Sequence, residues 1–434
     1  MLIYTLHTTT RIEYTFQYLN EKLFADVEIT NDAEYFKAYK NEKLNYSTER
    51  ICNDEFYIQS TGLLHQHTIK KQTVLCFEWK QTKAFYKSED DLGFDIFSAT
   101  FYLLSRYEEY LEFEPDAHGR YAHWNSVAWK EGVLNRPLID IWFNEFRAVL
   151  THRFPSINYQ TTTFNFLPTY DIDIAWSFKH KGFWRNVAAA VNMPSTIVQR
   201  VNVVTGKVKD PFDCYDWLQL LHSTYKVKPI YFFLVAKEKS ELDKNISPKK
   251  KKLQQLIQQT MQVADIGLHP SVQSNTVKEL LATEKSTLQQ ISGLPITISR
   301  HHYLKFYLPH TYAALSAAGI TDEYSMGYGT VNGFRASTSH SFLWYDLENE
   351  KTTSLRIHPF AFMEANSFYE LHQTPSQALE ELMQLFTEVK NVNGTFITIF
   401  HNHFLGTDKM FTGWREMYEE FIMFTKSASV NQIL

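Results

Sequence analysis

The sequence contains little cysteine. Cys52, Cys76 and Cys214 are the three cysteines among 434 residues, and no two of them have CxxC spacing. This excludes a zinc site built from cysteine pairs and a disulfide framework. Glycine is also scarce, with 15 residues, so a glycine-rich phosphate-binding loop has little material from which to form.

Long apolar runs are missing as well. No stretch reaches the roughly 18 apolar residues that a membrane-spanning helix requires. The first residues, MLIYTLHTTTRIEYTF, lack the basic start and the long apolar core of a signal peptide. The sequence therefore predicts a cytoplasmic protein with no transmembrane segment.

Positive charge is in slight deficit. Lysine and arginine total 43, and aspartate and glutamate total 48, which gives a net charge of -5. Such a balance does not favour binding to a phosphate backbone, so we expect no nucleic-acid partner. The basic run Lys249–Lys252, just after Pro248, is interpreted as the solvated start of a helix.

Aromatic residues, in contrast, are plentiful. The 9 Trp, 25 Tyr and 33 Phe make up 15% of the chain, and all hydrophobic residues make up 44%. A chain of this composition is typical of a folded globular protein and not of a disordered one. Aromatic side chains fill cores and also line sugar-binding clefts, and composition alone does not separate these two uses.

Two regions differ in their pattern. Residues 1–160 mix helical and extended segments and are predicted to form an N-terminal α/β accessory domain. Within them, FDIFSATFYLLSRYEEYLEF predicts one long amphipathic helix. Arg106 and Glu109 on that helix are interpreted either as a surface pair or as residues that dock the two domains together.

Residues 161–434 alternate apolar strands with amphipathic helices. This alternation implies parallel strands joined by right-handed crossovers, and about seven such units favour a (β/α) barrel. In such barrels the chemistry lies at the carboxyl ends of the strands. The predicted fold class is therefore α/β, and functional residues are expected at the carboxyl ends of the strands.

Titratable residues do stand at the ends of the predicted strands. They are Asp171 and Asp173, then His269, then Arg300, His301 and His302, and finally His401, Asn402 and His403. If the strands form one barrel, these side chains meet at one mouth. An Asp and His set with an open position binds a divalent ion, which polarises a carbonyl and lowers the pKa of water towards ~7. Such a set suits hydrolysis of an amide or an ester.

Each of these residues also has a purely structural interpretation. The carboxylates of Asp171 and Asp173 could cap the next helix, and His269 could be a turn histidine before Pro270. Because His301 and His302 are adjacent on an extended segment, they face opposite sides, and we expect at most one of them in the cleft. All of these residues follow apolar strands, and this shared position favours the functional interpretation over the structural one.

The order of the motifs resembles that of the polysaccharide deacetylase (NodB homology) superfamily. TYDID is similar to its TFDD motif with one residue inserted, and GLHPSVQ, SRHHYLKF and TIFHNHF are similar to its histidine, arginine and final Leu-x-His motifs. The resemblance implies a distorted (β/α)7 barrel. It also implies that Asp171 is the base, that Arg300 braces it, that His401 is the general acid, and that Asp173 and His269 bind a divalent metal ion, with zinc expected.

This chain departs from the family at one metal ligand. Gln273 stands where the family has a second histidine or an aspartate. Two ligands hold a divalent ion weakly, so a third is needed. His302 is the expected replacement, with His301 and His403 as alternatives. In the contrary interpretation the metal site has been lost.

Further stretches resemble a bacterial branch of the superfamily that has an extra N-terminal domain. FYLLSRYEEYL, the HGR loop, GFRA and HN recur over nearly the full length, and the resemblance implies a role with cell-envelope polysaccharides. The fourth family motif is matched loosely by GFRASTSHSFLWYDL. Arg335 and Trp344 in it, together with His403, are expected to bind the substrate, although Arg335 could instead form a structural ion pair. Glu364 is interpreted as part of a barrel rim.

The expected function is metal-dependent hydrolysis of N-acetyl or O-acetyl groups on a carbohydrate substrate, either a cell-envelope glycan or its precursor. One alternative is a degenerate protein of the same fold that binds a glycan or glycolipid without hydrolysis. Another is a glycoside hydrolase on a related barrel. That enzyme would need two carboxylates roughly 5 to 9 Å apart, such as Asp171 with Glu364 or Asp346.

Overall fold

The structure, a computed structural model, describes residues 1–180, 196–238 and 240–430. The strands of the first region are β1 (Leu2–Thr5), β2 (Glu28–Thr30), β3 (Lys43–Ser47), β4 (Phe56–Gln59), β5 (Phe77–Trp79) and β6 (Thr82–Ala84). The first four form a parallel sheet in the order β2-β1-β3-β4, and the last two pair as an antiparallel ribbon. This region is therefore α/β, as the sequence predicts.

Five helices belong to this first region. They are α1 (Thr10–Lys22), α2 (Ala33–Ala38), α3 (Ile96–Leu104), α4 (Val127–Lys130) and α5 (Leu138–Arg153). The prediction of one long helix around α3 is wrong at its end. After Leu104 the backbone of Arg106 turns into the left-handed region at φ +53°, and Tyr107–Tyr110 form a separate 3-10 turn. A non-glycine residue in that conformation cannot continue an α-helix.

The second region contains nine strands and seven helices among the described residues. The strands are β7 (Asn165–Ile172), β8 (Ile230–Phe233), β9 (Asp265–Leu268), β10 (Ile298–Ser299), β11 (Asp322–Glu323), β12 (Phe342–Asp346), β13 (Lys351–Ile357), β14 (Phe362–Met363) and β15 (Thr395–His401). The helices are α6 (Ile197–Val204), α7 (Tyr215–Tyr225), α8 (Lys251–Thr260), α9 (Lys278–Ser292), α10 (His310–Ala317), α11 (Pro375–Asn391) and α12 (Trp414–Val430).

The nine strands form one sheet in the order β12-β13-β11-β10-β9-β8-β7-β15-β14. All pairs are parallel except β12 with β13. The predicted parallel α/β arrangement is confirmed. The closed (β/α)7 barrel is not confirmed, because the sheet is open and its end strands, β12 and β14, do not pair with each other.

The two ends of this sheet nevertheless belong to one short stretch of chain. Strand β13 lies next to one end and β14 forms the other, and only residues 358–361 separate them in sequence. The five steps from Ile357 to Phe362 span at most about 18 Å, so the sheet must curve until its ends come close. The carboxyl ends of its parallel strands therefore surround a common space.

The register of the strands fixes which residues meet at that space. Asp171 near the end of β7 is paired directly with His401 at the end of β15. On the other side, Phe233 of β8 pairs with Leu268 of β9, and Leu268 pairs with Ser299 of β10. The residues that follow these positions, His269 and Arg300, are thereby brought to the same edge of the sheet.

The two regions share one apolar core. Tyr345 of β12 packs its ring against Tyr14 of α1 at a centroid distance of 5.0 Å and against Phe101 of α3 at 5.1 Å. A domain boundary near residue 160 stays a prediction. None of the described helices combines the length and the apolar character that crossing a bilayer demands.

Candidate active site

A cavity of about 350 Å³ opens at the carboxyl ends of the parallel strands. Its walls include Asp171, Asp173, His269, His302, His401 and His403. The sequence placed these six side chains at strand ends spread over more than half of the chain. The structure brings all six together around one open space.

Asp171 is held in place by Arg300. Nη1 of Arg300 donates a hydrogen bond to Oδ1 of Asp171 at 2.9 Å and another to the hydroxyl of Thr169 at 2.7 Å. The guanidinium also lies 4.3 Å from the ring centre of Phe232, and its Nε donates to the carbonyl oxygen of Tyr324. These contacts fix the arginine within the sheet, so the carboxylate of Asp171 is held at the cavity wall.

Asp173, His269 and His302 form the one group of possible metal ligands found among the described residues. One ligand atom from each lies within 4.8 Å of the others. Asp173 Oδ1 is 3.1 Å from Nε2 of His269, and Asp173 Oδ2 is 3.5 Å from Nε2 of His302. One carboxylate and two imidazoles leave a coordination position open, which is the ligand set of a catalytic rather than a structural metal site.

The second nitrogen of each ligand histidine is occupied by a protein acceptor. Nδ1 of His269 donates to the carbonyl oxygen of Arg300 at 2.5 Å, and Nδ1 of His302 donates to Oδ1 of Asp243 at 2.9 Å. Asp243 is buried and also accepts from the N–H of Val272. These bonds turn both Nε2 atoms towards Asp173, as partners behind metal-binding histidines do.

A cation fits the space between these atoms. Nδ1 of His269 faces the carbonyl oxygen of Arg300 and therefore carries a proton, so Nε2 is the ring nitrogen turned to Oδ1 of Asp173 at 3.1 Å. That oxygen is buried and receives no hydrogen bond of acceptable geometry. Burial opposes ionisation of Asp173, but His302 and His401 hold its pKa well below the usual value. Asp173 is therefore ionised and presents the negative charge that a carboxylate ligand needs.

His401 is paired with Glu364. Its Nδ1 lies 2.7 Å from Oε1 of Glu364, and its Nε2 lies 3.7 Å from Oδ2 of Asp173. Burial disfavours the charged ring, yet the carboxylates of Glu364 and Asp173 raise the pKa of His401 to about 10. His401 is consequently protonated at neutral pH and can give up a proton inside the cavity.

The two remaining strand-end histidines differ in position. His403 lines the cavity, and burial together with the charge of His401 lowers its pKa to about 3, so it is neutral. His301 is buried and does not line the cavity. Of the adjacent pair, only His302 lines the cavity, as expected. The reason is not the alternation of side chains along a strand, because β10 ends at Ser299 and His302 begins a 3-10 turn.

Gln273 does not take part in the ligand group. It lies in the 3-10 turn Val272–Asn275 and is not among the residues that line the cavity. His302, in the 3-10 turn that follows β10, is instead the third member of the ligand group. His302 thus lies close enough to Asp173 and His269 to serve as the third ligand in place of Gln273.

Arg335 and Trp344 do not line the cavity, so the expectation that they bind substrate does not fit their positions. Arg335 is buried and pairs with both carboxylate oxygens of Glu109 at 2.9 and 2.6 Å. Trp344 is 3% exposed, and its ring nitrogen lies 3.3 Å from the hydroxyl of Tyr110. Both residues join the two regions of the chain, because each partner comes from the first region.

The HGR loop of the first region reaches the cavity, which the sequence did not reveal. His118 and Arg120 are part of its wall. Arg120 is locked by Asp116, to whose Oδ2 its Nε donates at 2.7 Å, and its Nη1 donates to the carbonyl oxygen of Tyr303 at 2.6 Å. Because Tyr303 follows His302 directly, the loop braces the segment that carries a candidate ligand.

Two exposed aromatic rings stand at the rim of the cavity. Tyr303 is 38% exposed and Tyr369 is 46% exposed. Tyr303 adopts a left-handed backbone conformation at φ +59°, and the ring of His118 lies 5.3 Å from its own. Exposed rings beside a polar cavity offer flat apolar faces, which suit the apolar faces of sugar rings.

Comparison with known proteins gives a family match and several structural similarities. Residues 1–155 match a model described as a family of unknown function (DUF7033). No curated protein sequence matches this chain. One similar solved structure is an assigned polysaccharide deacetylase from Mycobacterium smegmatis, 13% identical, with a TM-score of 0.40, covering 62% of this chain and 85% of that one.

Two further solved structures are similar at lower scores. A CE4 family pseudoenzyme from Bacillus anthracis is 7% identical, with a TM-score of 0.31 and 62% of each chain covered. A polysaccharide deacetylase from Bacillus cereus is 8% identical, with a TM-score of 0.28, covering 60% of this chain and 86% of that one. Similarities of this size carry no argument about function, so the proposal that follows rests on the geometry of the cavity.

Proposed function

We propose that this protein is a metal-dependent carbohydrate deacetylase that hydrolyses an N-acetyl or O-acetyl group on a sugar. The proposal is carried by one observation: Asp171, which Arg300 holds in place, and His401 line one cavity together with the ligand group Asp173, His269 and His302. This arrangement supplies a base, an acid and a metal site on one surface. The exposed rings at the rim favour a sugar as the substrate.

The ligand group would hold a divalent ion, and a site with two imidazoles and one carboxylate suits zinc. When bound, the ion supplies a Lewis acid that polarises the acetyl carbonyl. The three ligand residues are Asp173, His269 and His302. Their orientation is fixed beforehand by Asp243 and by the carbonyl oxygen of Arg300.

The residues of the chain carry the proton transfers. Asp171 accepts a proton from the water that attacks the acetyl carbon, and Arg300 keeps the carboxylate of Asp171 pointed at the cavity. His401, protonated because Glu364 raises its pKa, donates a proton to the nitrogen or oxygen that leaves the acetyl carbon. The products are acetate and the free amine or hydroxyl of the sugar.

The two alternative functions have less support. A degenerate, non-hydrolysing protein was suggested by Gln273, but His302 lies where a third ligand is needed. A glycoside hydrolase needs two carboxylates that face one bond. Glu364 is instead bonded to His401, and Asp346 lies outside the cavity, where it accepts from Asn349.

The variant Asp171→Asn tests the reaction. We expect acetate release from N-acetylated and O-acetylated oligosaccharides to fall by a factor of about 10² to 10⁴, as for loss of a general base, while zinc binding is kept. Asp346→Asn is the matched control, a buried carboxylate outside the cavity, and should keep its activity. Unchanged acetate release by Asp171→Asn would eliminate the proposed mechanism.

A further inference from the structure

Two exposed tryptophans lie five positions apart in the first region. Trp124 is 37% exposed and Trp129 is 44% exposed, whereas the other tryptophans that the structure describes are buried or only partly exposed. Tryptophan is highly buried on average, because its ring is the largest apolar group that a protein side chain carries. A single exposed ring needs no explanation, so the question is whether these two act together.

One histidine contacts both tryptophans. The ring centre of His123 lies 5.0 Å from that of Trp124, with an angle of 78° between the planes, and 4.3 Å from that of Trp129, with an angle of 72°. Aromatic rings favour such edge-to-face contacts. The three side chains therefore form one unit, which we call the aromatic platform: His123, Trp124 and Trp129.

The backbone under the aromatic platform is firmly held. His123–Asn125 form a 3-10 turn, and α4 begins directly after Ser126, whose hydroxyl accepts from the N–H of Trp129 at 3.2 Å. The side-chain amide of Asn125 donates to the carbonyl oxygen of Glu114 at 2.8 Å. The rings are thus positioned before any ligand arrives, which lowers the entropic cost of binding one.

Direct contacts join the aromatic platform to the wall of the cavity. Nδ1 of His123 lies 2.9 Å from the hydroxyl oxygen of Thr330. The preceding residue, Gly329, lines the cavity, and Nη2 of Arg120, another wall residue, lies 3.4 Å from its carbonyl oxygen. Gly329, Thr330 and His123 are all partly exposed. Accessible residues in contact with one another therefore lead from the cavity to the two tryptophans.

The size of the aromatic platform does not suit a protein partner. A tryptophan side chain offers at most about 250 Å², so at their observed exposure the two rings together present no more than about 200 Å². A stable protein interface buries about 800 Å² on each partner. Asn125 and Lys130 beside the rings are polar. Flat apolar rings among polar groups suit a sugar, which has apolar faces and a rim of hydroxyl groups.

We propose that the aromatic platform is a second sugar-binding subsite, which holds further units of the glycan chain whose acetylated unit occupies the cavity. This inference rests on the proposed function and adds a role for the first region in choosing the substrate. A single sugar fills the cavity alone, whereas a chain also reaches Trp124 and Trp129. Stacking far from the reacting group is equal in the ground state and the transition state, so it lowers KM and leaves kcat nearly unchanged.

Chain-length preference tests the proposal. Acetate release is measured with the disaccharide and the hexasaccharide of N-acetylglucosamine, and we expect the native chain to have the lower KM for the hexasaccharide. Trp124→Ala and Trp129→Ala should each reduce the ratio of kcat/KM for the two substrates by about three- to tenfold, through KM. Trp124→Tyr and Trp129→Tyr keep a flat ring and should retain most of the preference, which separates stacking from a loss of folding.

Binding without hydrolysis gives a second readout. In the Asp171→Asn background, calorimetry should show the hexasaccharide bound about tenfold more tightly than the disaccharide, and Trp124→Ala/Trp129→Ala should remove that difference. Chain-length-dependent binding without acetate release by the native chain would leave the subsite standing and remove the proposed hydrolysis. Acetate release with equal KM for both substrates would do the reverse.

Tyr35→Ala is the matched control, because Tyr35 is an exposed ring of the first region, 43% exposed, and does not line the cavity. It should keep the native preference, and the melting temperatures of all variants should agree. The proposal is overturned if the native chain binds neither oligosaccharide or both equally. It is also overturned if Trp124→Ala/Trp129→Ala keeps the native affinity for the hexasaccharide, or if these substitutions instead abolish self-association in sedimentation equilibrium.

Discussion

Two buried groups of charged residues can be compared in this molecule. One surrounds the cavity and includes Asp171, Asp173 and His302. The other joins the two regions of the chain, where Glu109 accepts from Arg335 and also from Nε of Arg106 at 2.8 Å. Both groups are largely buried, although the side chain of Asp173 is 18% exposed. In the first, ligand atoms face an open space and one carboxylate oxygen is left without a hydrogen bond, whereas in the second a carboxylate is shared by two guanidinium groups.

The difference shows that burial of charge does not by itself mark a functional site. Between the two regions, the carboxylate of Glu109 is matched by the guanidinium groups of Arg106 and Arg335, and none of these three residues lines the cavity. Around the cavity, protein acceptors occupy one nitrogen of each ligand histidine and leave the other nitrogen available. For Arg335 the sequence left two interpretations, a substrate-binding residue and a structural ion pair, because a sequence shows the charge and not its partner; the structure shows the ion pair with Glu109.

Removing the shared carboxylate should produce the largest effect. Glu109→Ala leaves Arg335 buried without its carboxylate partner and Arg106 with only Glu108, at 3.7 Å, so the free energy of unfolding should fall by about 3–5 kcal/mol in denaturant titration. Glu21→Ala is the control, since Glu21 also pairs with an arginine of the second region, Arg356 at 3.2 Å, but at a partly exposed position. It should lose less than about 1 kcal/mol. Equal losses would contradict the contrast drawn between the two groups.

Removing a ligand should act on metal affinity. His302→Ala should weaken zinc binding by at least about a hundredfold in competition with a coloured chelator, since even partners behind a ligand are worth up to that factor. Gln273→Ala should bind zinc as the native chain does, because Gln273 lies outside the cavity. If instead Gln273→Ala lost zinc and His302→Ala kept it, the assigned ligand group would be wrong.

Changing the acceptor behind His302 should have a smaller effect. Asp243→Asn removes the charge that orients Nδ1 of His302, so zinc affinity should fall by about ten- to a hundredfold in the same titration. Asp322→Asn is a matched control, because Asp322 contacts His358 at 2.8 Å outside the cavity. Its zinc affinity should not change. A loss of equal size in both variants would make the effect one of general stability.

Much of the candidate site could be predicted because it lies at strand ends. Asp171, His269, Arg300 and His401 each follow or end an apolar segment, and parallel strands place such positions along one edge of a sheet. Asp173 joins them because it lies two residues after Asp171 on the same extended segment. Alternation of strands and helices also predicted the parallel sheet, although not its open ends.

The remaining parts depend on contacts that a local pattern does not contain. Asp243 lies in a loop without strand or helix signals, and it becomes a partner of His302 only through folding. The sequence gives no partner for the HGR loop, yet Arg120 in it donates to a carbonyl oxygen that is 183 positions away. Pairing of β12 in the antiparallel direction likewise depends on a hairpin to β13 that interrupts the helix–strand alternation.

The contact between Arg120 and Gly329 links two distant codons of the gene. Nη2 of Arg120 lies 3.4 Å from the carbonyl oxygen of Gly329, and a Cβ atom at Gly329 would overlap the guanidinium. A substitution at either position therefore changes what is tolerated at the other. If the first 155 residues were exchanged for those of a distant homologue, the cavity wall would be preserved only if the new segment also carried an arginine that fits against Gly329.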